Sequence, residues 1–139
     1  MSERVLVDTG PLIAIVSNRD EHHKVCVEEL KELRAPLITC WPVLTEAAWI
    51  LRKQPKALQR LLRDSLGGLF AVVDLEETAL SWTADFLKRY QNLGAQLADA
   101  CLVYLAERHG MDTIFTLDRR DFTVYRYRGN RSLNLIPTF

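Results

Sequence analysis

Cysteine is scarce in this chain, and paired cysteine is absent. Cys26, Cys40 and Cys101 stand far apart with no CxxC among them, so no disulfide framework is written into the sequence. Cys26 and Cys101 fall in helix-like apolar patterns, and the three read as reduced core residues of a cytosolic protein. Net charge is missing too. Lys+Arg and Asp+Glu are both 18, which removes any bulk electrostatic argument about partners. No apolar run approaches the length of a membrane span, and the start MSERVLVDTG does not resemble an export signal, which agrees with a cytoplasmic location. Histidine pairs are lacking as well: His22 and His23 adjoin at a polar helix start and His109 precedes a glycine. None has a His or Cys partner at ligand spacing, so zinc is not expected. Repeats, low-complexity segments and linkers are absent, and residues 1–139 are expected to form one domain.

What remains is an ordinary globular composition, 48% hydrophobic and 26% charged, long enough to bury a core. The β-branched run at 4–8 (RVLVD), bounded by Gly10-Pro11, predicts a buried strand followed by a short helix over 11–17. A helix is expected over 20–34, with Val25, Cys26, Leu30 and Leu33 on one face. PLITC (36–40) predicts a second strand, and helices should follow over 42–53 and 56–65, separated by Gln54-Pro55 and closed by Gly67-Gly68. LFAVVDL (69–75) reads as a third strand and 76–92 as a long amphipathic helix. The most apolar helix is expected over 95–110, then a strand at 111–117 (MDTIFTL) and a fifth at 133–137 (LNLIP). Strands alternating with helices imply a three-layer α/β/α sandwich around a mainly parallel five-stranded sheet.

Four acids occupy comparable places in this layout. Asp8 and Asp118 each end a strand, Glu46 lies in the first turns of the helix after PLITC, and Asp99 lies near the start of the helix preceding MDTIFTL. In a parallel sheet the connecting helices run back against the strands, so all four map to the edge where α/β proteins place ligands. Any one of them alone fits a helix cap or a surface position, as Asp74 does; their joint placement is what points to a site. Two carboxylates about 4 Å apart repel by about 4 kcal/mol at an effective dielectric near 20. A helix N-terminus offsets only ~0.3–1 kcal/mol of that per carboxylate. Such a cluster spreads apart, takes up protons or binds a cation, and carboxylate oxygens select Mg²⁺ or Mn²⁺.

VLVDTGPLIAI (5–15), LTEAAWIL (44–51), LADACLVYLAERHG (97–110) and IFTLDRRDF (114–122) appear in an order that resembles the PIN-domain family. Within it, the VapC-type toxins of toxin–antitoxin pairs are the closest likeness. The resemblance implies an Mg²⁺- or Mn²⁺-dependent endoribonuclease with RNA as substrate, leaving 5′-phosphate and 3′-hydroxyl ends. A protein antitoxin and a homodimer are further implications. By position in the family's blocks, Asp8 and Asp99 become the most direct metal ligands. Glu46 and Asp118 become acids that hold the metal through waters or position the attacking one. Thr116 is then expected to orient Asp118 or a water, Thr9 to do likewise or to cap its helix, and Asp121 to assist as an extra acid.

An acidic pocket repels RNA, so positive charge is needed around it. Arg119, Arg120, Arg126, Arg128 and Arg131 follow the last acidic block, with Tyr125 and Tyr127 between them as candidates for stacking on bases. An antitoxin contact is the rival reading of this group. Arg52, Lys53, Lys56, Arg60 and Arg63 form another basic group, read foremost as a solvated helix face. Trp49 and Trp82, on apolar helices, are expected to pack in the core or an interface.

Competing functions fit less well. The haloacid-dehalogenase pattern wants a second aspartate where Gly10 stands, and a receiver domain wants a late-strand lysine where Thr116 and Asp118 stand. A PIN-like module that binds RNA or protein without cutting would be expected to have lost acids, and none is missing here. A PIN nuclease working in RNA processing rather than as a toxin stays open.

Overall fold

A computed structural model describes residues 4–138; residues 1–3 and 139, the ends of the expected domain span, lie outside that range. The apolar triplet Val5–Val7 is strand β1, and α1 follows at once over Thr9–Val16, with all of its residues but Gly10 buried. Helix α2 spans His23–Lys31, shorter than the expected 20–34 because turns closed by the His23 amide on the Asp20 carbonyl and by the Glu32 and Leu33 amides on Glu29 and Leu30 take its two ends. Strand β2 is Leu37–Thr39, and α3 covers Trp41–Ile50 with Pro42 in its opening turn. Helix α4 runs over Pro55–Leu66, starting at the proline whose missing N–H would be unpaired there anyway.

Strand β3 (Phe70–Val72) leads into α5 (Ala79–Arg89), and a short 3₁₀ turn over Gln91–Leu93 replaces the end of the expected 76–92 helix. Helix α6, Leu97–His109, is buried at Ala98 and from Ala100 to Ala106, as its nearly unbroken apolar sequence requires. It stops at Gly110, whose φ of +70° suits a residue without a side chain. Strand β4 is Thr113–Phe115. A four-residue helix, α7 (Arg119–Phe122), and a small hairpin, β5 (Arg126–Tyr127) with β6 (Arg131–Ser132), come before β7 (Asn134–Ile136). The sequence reading has neither α7 nor the hairpin.

The five-stranded sheet has the order β3-β2-β1-β4-β7 and every pairing in it is parallel, so the α/β/α expectation holds. The order reverses between β1 and β4. The chain winds outward from β1 through β2 to β3, then crosses back to β4 on the other side. That reversal opens a crevice at the carboxyl ends of β1 and β4, where the flanking loops diverge. The strands meet there in register, Val7 opposite Phe115, and the Asp8 amide bonds the Phe115 carbonyl at 2.9 Å. Gly10 allows the close approach of the two loops: a Cβ on it would sit 3.3 Å from Leu117.

Candidate metal and nuclease site

Asp8 takes the residue position before α1 that normally supplies a capping side chain, yet it makes no capping hydrogen bond to the helix. Its carboxylate instead accepts from the Thr116 hydroxyl at 2.9 Å. The same Thr116 oxygen accepts the Asp118 amide at 3.0 Å, so one fully buried hydroxyl ties the end of β1 to the loop after β4. Asp8 is itself only 7% exposed. Burial, with Asp99 and Glu46 nearby, pushes its carboxyl up to about 7 against the pull of the Thr9 amide and the Thr116 hydroxyl.

Asp99 lies in the first turn of α6 and accepts from the Tyr125 hydroxyl at 2.9 Å. Burial raises it to about 6, aided by the charges of Asp118 and Glu46 and opposed by the Tyr125 bond. Glu46, on α3, accepts from the Thr9 hydroxyl at 2.5 Å, which fixes it beside the start of α1. Asp118 caps α7 by accepting the Asp121 amide at 3.2 Å. Oxygens of Asp99, Asp118 and Asp121 all lie within 4.8 Å of one another.

The acids named from sequence therefore converge. Asp8 feels the charges of Asp99 and Glu46, and Asp99 those of Asp118 and Glu46, so four separate elements contribute to one electrostatic neighbourhood. The trio whose carboxylate oxygens meet within 4.8 Å brings in Asp121, expected from sequence as an auxiliary acid, and leaves out Asp8 and Glu46. The reason is local: with Asp118 as cap, α7 turns its third residue back over the same crevice. Three carboxylates from two backbone segments make a hard-oxygen donor set, suited to Mg²⁺ or Mn²⁺ and not to a soft ion.

The cationic neighbours fare differently. Arg120 is exposed beside the site. Arg119 donates to the Pro137 carbonyl at 2.8 Å, and Arg126 spans the Thr123, Val124 and Tyr125 carbonyls at 2.8–3.1 Å. Arg128 adopts a positive φ of 45°, held by its amide on the Glu107 carboxylate at 2.6 Å and its Nε on the Glu107 carbonyl at 2.9 Å. Glu107 is eight residues beyond Asp99 on α6, about 12 Å along the axis, so Arg128 anchors the hairpin away from the acids.

Base stacking by Tyr125 and Tyr127 is overturned: the rings are 0% and 3% exposed. The alternation Tyr125-Arg126-Tyr127 before Gly129-Asn130 was a strand-and-turn signal, and the buried faces of that hairpin take both tyrosines. Trp82 stacks on Phe86 at 5.5 Å, as expected of packing, whereas Trp49 is 66% exposed with the Arg52 guanidinium 3.9 Å over its ring. The three cysteines are buried and free, as expected.

Comparison with known proteins agrees with this geometry. The family model described as PIN domain matches residues 5–127. Ribonuclease VapC26 of Mycobacterium tuberculosis is 27% identical over 135 residues, spanning 96% of this chain and 100% of that protein. Among solved structures, VapC20 of Mycobacterium tuberculosis, named a sarcin-ricin loop cleaving toxin, superposes with a TM-score of 0.76. It is 16% identical, covers 84% of this chain and 91% of that one, and speaks for the fold.

Proposed function

The chain belongs to the PIN domain family, and on that premise we propose that it is a divalent-metal-dependent endoribonuclease acting as the toxin of a toxin–antitoxin pair. The observation that carries this reading is the trio Asp99, Asp118 and Asp121 within 4.8 Å, with Asp8 and Glu46 in electrostatic reach, at the switch point of a parallel sheet. Asp8, Glu46, Asp99 and Asp118 are the residues proposed to hold the metal, with Asp121 joining them. Bound there, a divalent ion supplies charge neutralisation at the phosphoryl oxygens and activation of the attacking water.

The chain's own groups do the remaining work. Thr116 holds Asp8 and the Asp118 loop at a fixed separation, and Thr9 holds Glu46. Raised proton affinities at Asp8 and Asp99 mean that metal loading displaces protons and strengthens as pH rises. RNA is drawn in by positive charge around the cleft, Arg120 foremost, with Arg119 next to it. Arg126 contributes charge while its guanidinium stays committed to backbone carbonyls, whereas Arg128 is held on Glu107, away from the acids.

Residues 1–139 are proposed to act as one PIN domain in the cytoplasm; no helix among the described residues is long and apolar enough to cross a membrane. A homodimer is part of the proposal. Trp41, Leu80 and Leu97 are 60%, 71% and 53% exposed, around adjoining apolar hollows that share Pro42 and Leu97. Such a surface suits a second copy. Sedimentation of Leu80→Arg/Leu97→Arg beside the unaltered protein checks this, and an unchanged mass in solution counts against it.

The deciding experiment incubates purified protein with total RNA in Mg²⁺ or Mn²⁺, then with chelator, and maps the cut ends. Metal-dependent cuts with 5′-phosphate ends are expected. Cleavage that survives chelation, or none in any metal, removes the proposal.

A further inference from the structure

Tyr125 is the fully buried aromatic whose hydroxyl enters the acidic crevice. Its ring sits edge-on to Phe86, Tyr90 and Phe122, at centroid distances of 4.9, 5.0 and 5.1 Å. Its hydroxyl donates to Asp99 Oδ2 at 2.9 Å. The backbone around it is pinned from both sides. Its own amide bonds the Asp121 carbonyl at 3.2 Å, and the Arg126 amide bonds the Tyr90 hydroxyl at 3.1 Å. Tyr125 therefore links α6, which carries Asp99, to the short segment that carries Asp118 and Asp121. A ring caged on three sides has no freedom to swing its hydroxyl elsewhere, so the bond defines how the Asp99 carboxylate is turned.

We propose that Tyr125 is a positioning residue: by holding Asp99 Oδ2 it presents the other Asp99 oxygen to Asp118 and Asp121 and so builds the divalent-ion site. This rests on the metal-dependent reading above. A hydroxyl donor to a carboxylate consumes one oxygen and leaves the other to ligate, a division of labour that neighbouring donors commonly impose on metal ligands. A phenol hydroxyl is a hydrogen-bond donor at neutral pH, so the bond to Asp99 runs from tyrosine to carboxylate. The residue is not part of the acidic blocks read from the sequence, and its distance of 26 positions from Asp99 hides the contact from local inspection.

The test is Mn²⁺ binding without RNA, followed by electron paramagnetic resonance of the free ion, in the unaltered protein, Tyr125→Phe and Tyr127→Phe. Both variants delete one hydroxyl from a buried tyrosine of the same segment, but of the two it is the Tyr125 hydroxyl that bonds a proposed metal ligand. Tyr125→Phe is expected to weaken Mn²⁺ binding about tenfold, and Tyr127→Phe to stay within about twofold. Equal binding by Tyr125→Phe and the unaltered protein, or equal weakening by both variants, overturns the proposal while leaving the metal site standing. Failure of the unaltered protein to bind Mn²⁺ instead sinks the metal reading itself, and this proposal with it. Should Tyr125→Phe not fold, the buried hydroxyl proton decides the matter by NMR in the unaltered protein. Mg²⁺ should shift the Tyr125 resonance and not that of Tyr90, and an unmoved Tyr125 proton overturns the proposal.

Discussion

The two ends of α1 carry opposite charge. Beside its start lie Asp8 and Glu46, with Asp99 and Asp118 across the crevice. Beyond its end, Ser17 donates to the Gln54 side chain at 2.8 Å, and Arg19, Lys53, Lys56 and Arg60 line a groove of about 460 Å³ with no acidic side chain. The ends are separated by one eight-residue helix, about 12 Å. A chain with 18 charges of each sign thus segregates them within a short distance, which its net charge conceals. The acids differ from the cations in burial as well as in sign. Asp8 is held inside the fold against its preference for water, whereas Lys53, Lys56 and Arg60 lie at or near the surface. Like charge forced inward costs stability, and fold-building alone does not account for it.

Removing a carboxylate from the crowded end should have the largest effect. Asp99→Ala is expected to lower metal-dependent RNA cleavage by at least about a hundredfold, read from initial rates. Its thermal midpoint should stay level or rise when no metal is present; a collapse of the fold would mean that Asp99 serves structure.

Asp8→Asn comes next, and it separates stability from function. The folded carboxyl titrates at about 7 against an ordinary 3.8, so the unaltered protein folds most favourably when Asp8 is protonated. That contribution is complete below about 4 and is lost as pH climbs to about 7, a change on the order of a few kcal/mol. Metal-free protein should therefore melt higher at pH 5 than at pH 7.5. Asp8→Asn should raise the midpoint at pH 7.5 and flatten the profile between those values, while RNA cleavage disappears. Calorimetry across that range checks the sign, and a midpoint that rises with pH would contradict the burial of a reluctant charge. Added Mg²⁺ should stabilise the unaltered protein at pH 7.5 more than Asp8→Asn, by mass action on the folded state.

The smallest effect is expected at the other end of α1. Lys53→Glu/Lys56→Glu should leave Mn²⁺ binding unchanged and weaken RNA association a few-fold at low salt, with a shallower dependence on salt concentration. An unaltered salt slope would show that the far groove plays no part in holding RNA.

Much of this was readable from the chain. The β-prone triplets Val5–Val7, Leu37–Thr39 and Thr113–Phe115, which carry no charge, announce buried parallel strands, because a strand covered on both faces has no alternation with solvent-facing charged residues. Asp8, Glu46, Asp99 and Asp118 could be brought to one edge by topology alone. That Asp121 sits within 4.8 Å of Asp99 and Asp118 is not legible in the chain, because its place depends on a single turn of helix after Asp118, below the length at which periodicity speaks. A tyrosine among arginines looks like an exposed stacking surface, and what buries Tyr125 is Phe86, Tyr90 and Phe122, two of them more than thirty residues away in the chain.

Local pattern, set by side-chain period and by where proline and glycine interrupt it, was enough to determine the five strands of the main sheet, the longer helices between them and their order, though not α7 or the small hairpin. The tertiary structure alone decided which oxygen of Asp99 faces Tyr125, that Thr116 serves two acids at once, and that Arg128 is spent on Glu107. Those facts depend on distances of a few ångströms between residues up to 108 positions apart, and such distances exist only after the core has packed.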